Sequence, residues 1–403
     1  MKKVLIITYY WPPSTDSKVL RWLFFTKYLK QYNWEPVVIS LLPGHEAEKD
    51  DSFYREQIPE GIEEYNIPPV YKTRCFIKKM FKKTLNNNTD CHITNTIKRI
   101  VKTIGNQTFD SIITAGPPHV VHEIGKSIKL LYKINWIADF STGWYSDIPS
   151  QGAVDLSPTE KLVQRFNNEV LPFCDLILTT SNKLSEQFAQ AGFNKVETLT
   201  NGYDYIPVIK ETDKKFTLVH IGTMTSTRNP ENLWKAIAAL KLVDPSFKEN
   251  FRLELIGETD KSIFESLVTY KLIENLTYRD YLEPKDAISR EFQSQVLLLV
   301  VDRTLDAQGI IPSKMYEYLS AYRPILGIGP VSGDAAEILQ YSQAGRMFNY
   351  REFRELKNQI ADWYDDFKNK ELVVRSIGVN RYSRRRLTRQ LVELLEKQTS
   401  ELF

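Results

Sequence analysis

Lys314 and Glu317 stand three residues apart inside an apolar stretch that runs from 308 to 329. Free backbone amides and the dipole at a helix start stabilise an anion such as phosphate. A carboxylate one turn further in can accept hydrogen bonds from sugar hydroxyls. Phosphate beside sugar is the chemistry of a nucleotide-sugar donor. The same two residues also fit a solvated ion pair worth a few tenths of a kcal/mol, roughly. Spacing alone leaves both readings open.

The elements that must position this pair can be read around it. The apolar run 296–301 has the pattern of a buried parallel strand, and 325–328 of a second one. Pro312 suits the first turn of the helix between them, and Ser313 stands near its cap. Met315, Leu319 and Tyr322 fall at i, i+4 and i+7, which predicts one inward face.

The rest of the chain repeats this rhythm. Strands are expected at 4–8, 37–41, 111–115, 136–140, 176–180 and 196–200, with a helix over 17–32. After a polar linker at 210–215 they resume at 216–221, 253–256 and 276–281. Two α/β halves follow, each a Rossmann-like sheet, with a ligand expected between them. The expected division is 1–205 for the first domain, with a helix near 380–403 returning to it, and 206–379 for the second. From 43 to about 88 the pattern blurs into an insertion of loops. Within it, 72–83 interleaves six lysines and arginines with four apolar residues. That piece fits a helix lying on an anionic membrane or one covering the sheet with its lysines in water.

Composition excludes several classes. A net charge of +3 is too small to argue for nucleic acid as the partner. Three scattered cysteines make no disulfide framework or zinc pattern, so a cytoplasmic protein is expected. Five histidines without ligand spacing predict no metal site. No apolar run reaches the roughly 18 residues that span a bilayer.

Six short motifs carry a resemblance. They are Tyr9 to Ser14 with Arg21-Trp22, Thr114 to His119, Ile137 to Phe140, Thr200 to Asp204, His220 to Thr223, and the stretch from 308 to 329. In this order the chain resembles the GT-B glycosyltransferases of the large family 4 type. It is most similar to a bacterial branch acting on surface polysaccharide or lipid-linked precursors. The resemblance implies a nucleotide sugar as co-substrate, no resident cofactor or metal, and a saccharide or lipid-linked acceptor at the inner face of the membrane. It implies donor contacts in the second half. Glu317 matches the second glutamate of the family's Glu-x7-Glu motif, which bonds ribose. The loop from Gly309 to Ser313 would meet the diphosphate, as would Arg228 and Lys314. Gly222 would keep the first turn tight, with Thr223 beside it. His119 and Asp139 would face the acceptor, either one as a general base. Bland alternatives stand beside these: a helix-start histidine, a strand-end aspartate and a solvated loop arginine. A retaining, front-face route is expected by resemblance only.

This chain departs from the family at several positions. Gly309 stands where the first motif glutamate would fall, and Thr223 where an arginine is usual. Thr15, Asp16 and Lys18 replace loop glycines, and Ser141-Thr142-Gly143 breaks the branch's Asp-Phe-Arg-Asp-Pro-Trp. These changes motivate an alternative, a GT-B fold without catalysis that serves as a binding or partner subunit. A sugar-nucleotide epimerase on the same fold ranks last, since its carboxylate-rich site is not evident.

Overall fold

A computed structural model describes residues 1–14, 16–41, 52–68, 88–143, 165–204, 211–304 and 306–400. The basic piece at 72–83, Thr15 and Trp144 lie outside these. The chain forms two compact units, Met1–Asn201 with Arg384–Phe403, and Gly202–Ser383.

Among the described residues the first unit has seven parallel strands: β1 Lys2–Thr8, β2 Trp34–Ser40, β3 Glu63–Asn66, β4 Ser111–Gly116, β5 Asn135–Phe140, β6 Leu176–Thr179 and β7 Val196–Thr198. Their spatial order is β3-β2-β1-β4-β5-β6-β7. Val4 to Ile7 have no exposure on either face, as an unbroken apolar run requires when helices cover both sides. The helix Val19–Leu29 covers one face. The helix Arg384–Ser400 joins the same layer through Leu387, Leu391, Val392 and Leu395. Asn135 Nδ2 donates to the Gln398 carbonyl at 2.8 Å, tying that helix to β5.

The second unit has six parallel strands: β8 Phe216–Ile221, β9 Phe251–Ile256, β10 Leu276–Arg279, β11 Val296–Val300, β12 Ile325–Ile328 and β13 Gly345–Phe348. Their order is β10-β9-β8-β11-β12-β13. In both sheets the chain builds outward to one side and then returns to the other. The order reverses between β1 and β4, and between β8 and β11. Ligands bind at the carboxyl ends of strands beside such a reversal.

Three expectations are corrected. The blurred stretch is not loops alone, because β3 pairs with β2 at the sheet edge and a one-turn helix covers Ser52–Arg55. β13 lacked a long apolar run and was not anticipated. Tyr322 does not continue the inward face of its helix. The helix ends at Ser320, and Tyr322 turns into the left-handed region at φ 54° with its side chain outward.

Candidate functional site

At the reversal in the second unit the strands part before they end. β11 pairs with β8 only at Val296↔Leu218 and Leu297↔Val219. Beyond that register, side chains replace the ladder. His220 Nδ1 lies 2.9 Å from the Leu298 carbonyl. A carbonyl only accepts, so Nδ1 carries the proton. Burial pushes the His220 imidazole down to about 4, which keeps it neutral. The Ile221 amide donates to the Tyr318 hydroxyl at 2.9 Å. Tyr318 sits on the helix Lys314–Ser320, so this bond fixes the helix against the end of β8.

The turn after β8 follows from two glycines. Gly222 has φ 135° and Gly257, at the end of β9, φ 117°, conformations open to glycine and costly for other residues. A Cβ at Gly257 would stand 2.6 Å from the Gly222 carbonyl oxygen, so the two turns touch backbone to backbone. Thr223 is exposed, and its carbonyl accepts from Arg228 Nη1 at 2.9 Å.

Arg228 is held by a residue the sequence did not single out. Its Nε and Nη2 both donate to Asp302 Oδ2, at 2.8 and 2.5 Å. Thr227 donates to Asp302 Oδ1 at 2.7 Å. Burial draws the Asp302 carboxyl upward, but bonds from Arg228 and Thr227 outweigh it and hold it below the usual range. Arg303 stacks its guanidinium 3.8 Å from the Tyr350 ring. Asp302 stands just past β11, where a sequence reading of strand ends had the signal to find it.

The helix Lys314–Ser320 is two turns long, so its dipole is small. Ser313 is its exposed N-cap and makes no side-chain cap bond. Gly309 closes a single 3-10 turn that precedes it. The expected pair of Lys314 and Glu317 does form, but it is sunk into the protein rather than solvated. Lys314 Nζ donates to Glu317 Oε2 at 2.5 Å and to Glu291 Oε1 at 3.2 Å. Glu317 is 8% exposed and Glu291 is fully buried. Burial works against the Lys314 charge, but the Glu317 and Glu291 carboxylates outweigh it and hold its pKa well above normal. Lys314 therefore has its countercharge within the protein. Glu291 lies on the helix Pro284–Gln293, and no local pattern pointed to it.

In the first unit, Asp139 is buried with no exposure. Arg21 Nε and Nη2 donate to its two oxygens at 2.9 and 2.7 Å, and Trp22 Nε1 donates at 2.9 Å. That geometry anchors the helix Val19–Leu29 on β5; a general base needs a carboxylate that an acceptor hydroxyl can reach. His119 follows β4 and is 3% exposed, with its ring 4.9 Å from Phe140. A side chain at Gly116 would meet His119 Nδ1 at 2.4 Å, so the ring lies against bare backbone. His122 lies next to it, and burial, aided by His119, holds its imidazole well below the usual value. Burial pushes the Cys174 thiol up to about 12, which leaves it unreactive.

No family model and no curated protein matches the chain. Solved structures do. Anabaena HepE in complex with UDP and glucose matches at 13% identity and TM-score 0.68, over 98% of this chain and 100% of that one. A sucrose-phosphate synthase from Thermosynechococcus elongatus matches at 12% identity and TM-score 0.66, over the full length of both. Staphylococcal TarM, in complex with UDP, matches at 10% and TM-score 0.62, over 98% and 100%. With its two parallel sheets, the chain has the GT-B fold. Among the described residues no helix is long and apolar enough to cross a membrane.

Proposed function

We propose that the protein is a glycosyltransferase that takes its sugar from a nucleoside-diphosphate sugar. One observation carries this reading: the parted ends of β8 and β11, with the Gly222 turn, Arg228 and the Lys314–Glu317 pair held nearby. The HepE structures with UDP and with UDP-glucose support the ligand class. In this reading Glu317 bonds the ribose, and Arg228 turns from Asp302 toward the diphosphate. Gly222 and the loop from Gly309 to Ser313 let backbone come close to it. Preorganised cations and amides then stabilise the leaving diphosphate, with no metal assigned.

On the acceptor side we assign neither Asp139 nor His119 as a general base, since both side chains are buried. The route is retaining, with the leaving phosphate taking the acceptor's proton. The acceptor is a saccharide or lipid-linked sugar of a surface polysaccharide, met in the cytoplasm at the membrane face. A non-catalytic binding subunit is the second reading. It is favoured by the internal neutralisation of Lys314 and by Thr223 where the family carries arginine.

Calorimetric titration with UDP, ADP, GDP and UDP-glucose tests the first reading. Losing a hydrogen bond to a charged group costs about 1.5–3 kcal/mol, so Glu317→Ala should weaken nucleotide binding about tenfold or more. Binding of no nucleotide by the parent would end the donor reading. Binding without transfer to any acceptor in a product assay would favour the second.

A further inference from the structure

Glu291 has no part in the reading above, yet it is the most deeply buried acid beside the Lys314–Glu317 pair. Lys314 reaches its Oε1 as well as Glu317 Oε2, and its own Oε2 is buried without a hydrogen-bond partner. Two buried carboxylates thus share one partly buried ammonium. If both were ionised the cluster would carry an uncompensated negative charge, which a buried site disfavours. A single proton on Glu291 removes that charge and supplies a donor for Glu317.

We propose that Glu291 is a positioning residue: as a neutral carboxylic acid it holds the Glu317–Lys314 pair in the geometry that accepts a nucleoside diphosphate, and on ionising it competes for Lys314 and adds repulsion. This rests on the donor reading above. Burial pushes the Glu291 carboxyl up to about 8; Lys314 draws it down, and Glu317 pushes it further up. The groups around it are Lys314, Glu317 and Tyr318, with His220 of β8 facing Lys314. On its own helix, Arg290 is already paired with Glu254 and Asp213. Lys314 and Tyr318 are shifted upward and His220 down to about 4, so these three do not change protonation state across pH 7–9.

The sign for stability follows from linkage. The folded state keeps the Glu291 proton to higher pH than the unfolded chain does. The stability this contributes is complete below the ordinary glutamate value and is lost as pH rises through about 8. Glu291→Gln is an uncharged isostere of the acid and can still donate to Glu317.

The test has two arms. In thermal melts without ligand, the parent should lose stability relative to Glu291→Gln as pH rises from 5 to 9. A constant difference between the two would overturn the protonated acid. In titrations with UDP, ADP and GDP, the parent should bind about tenfold more weakly at pH 9 than at pH 7, because the competent fraction falls about tenfold across that interval. In Glu291→Gln the ratio should fall to near one. Equal ratios in both proteins would sink the positioning role while leaving the donor reading intact. Absence of nucleotide binding by the parent at either pH would end both, and the melts would still report the proton. Should Glu291→Gln not fold, Glu291→Met, which cannot ionise, should likewise show a pH 7 to pH 9 affinity ratio near one. A tenfold ratio in Glu291→Met, as in the parent, would count against the role.

Discussion

The two sheets share one topology and differ at the point where each reverses. In the first, β1 and β4 stay paired from Val4↔Ser111 to Thr8↔Ala115. The nearby ion pair, Arg21–Asp139, is 4% and 0% exposed. In the second, β8 and β11 part after Leu297, and the pair Arg228–Asp302 is 26% and 21% exposed. A sealed, fully donated carboxylate acts as a strut. A partly wet pair can exchange one partner for a ligand at modest cost. The same residue types therefore do different work according to how the strands beneath them end.

The largest expected effect should come from the sealed side. Removing one partner of a buried pair leaves an uncompensated charge, so Asp139→Ala should cost about 3–5 kcal/mol in denaturant unfolding. A loss no larger than that of an exposed pair would break the contrast. Next comes Tyr318→Phe, which leaves the buried Ile221 amide without its acceptor. A loss of about 1–3 kcal/mol is expected, read as a lower melting midpoint. The smallest change in stability is expected for Arg228→Ala, about 1 kcal/mol or less for a partly exposed pair. Its nucleotide affinity in calorimetry should nevertheless drop about tenfold, by the loss of a charged hydrogen bond. Stability loss without loss of affinity would make Arg228 a strut as well.

Much of the fold was legible because parallel strands covered on both faces are written as unbroken apolar runs. β8 and β12 matched their expected bounds for this reason. β3, with sequence Glu-Glu-Tyr-Asn, is held by its partner β2 rather than by local pattern, and so could not be read. Tyr322 misled because helical spacing says nothing of where the helix stops. The site was legible in its local part only. Lys314 and Glu317 lie three residues apart and could be paired from sequence. Glu291 is 23 residues from Lys314, Asp302 is 74 from Arg228, and Asp139 is 118 from Arg21. Those pairings are set by which strand ends and helix faces the topology brings together.

The helix Arg384–Ser400 has a consequence for how the polypeptide acquires its shape. The segment Gly202–Ser383 is continuous and carries its entire sheet, so it can close as soon as it is made. The unit that is synthesised first must wait, since its apolar layer around Trp22, Phe25 and Trp34 stays partly uncovered until Leu387 to Leu395 arrive. The order of completion is thus the reverse of the order of synthesis. During that delay the earlier unit exposes a greasy flank that a chaperone would be expected to shield.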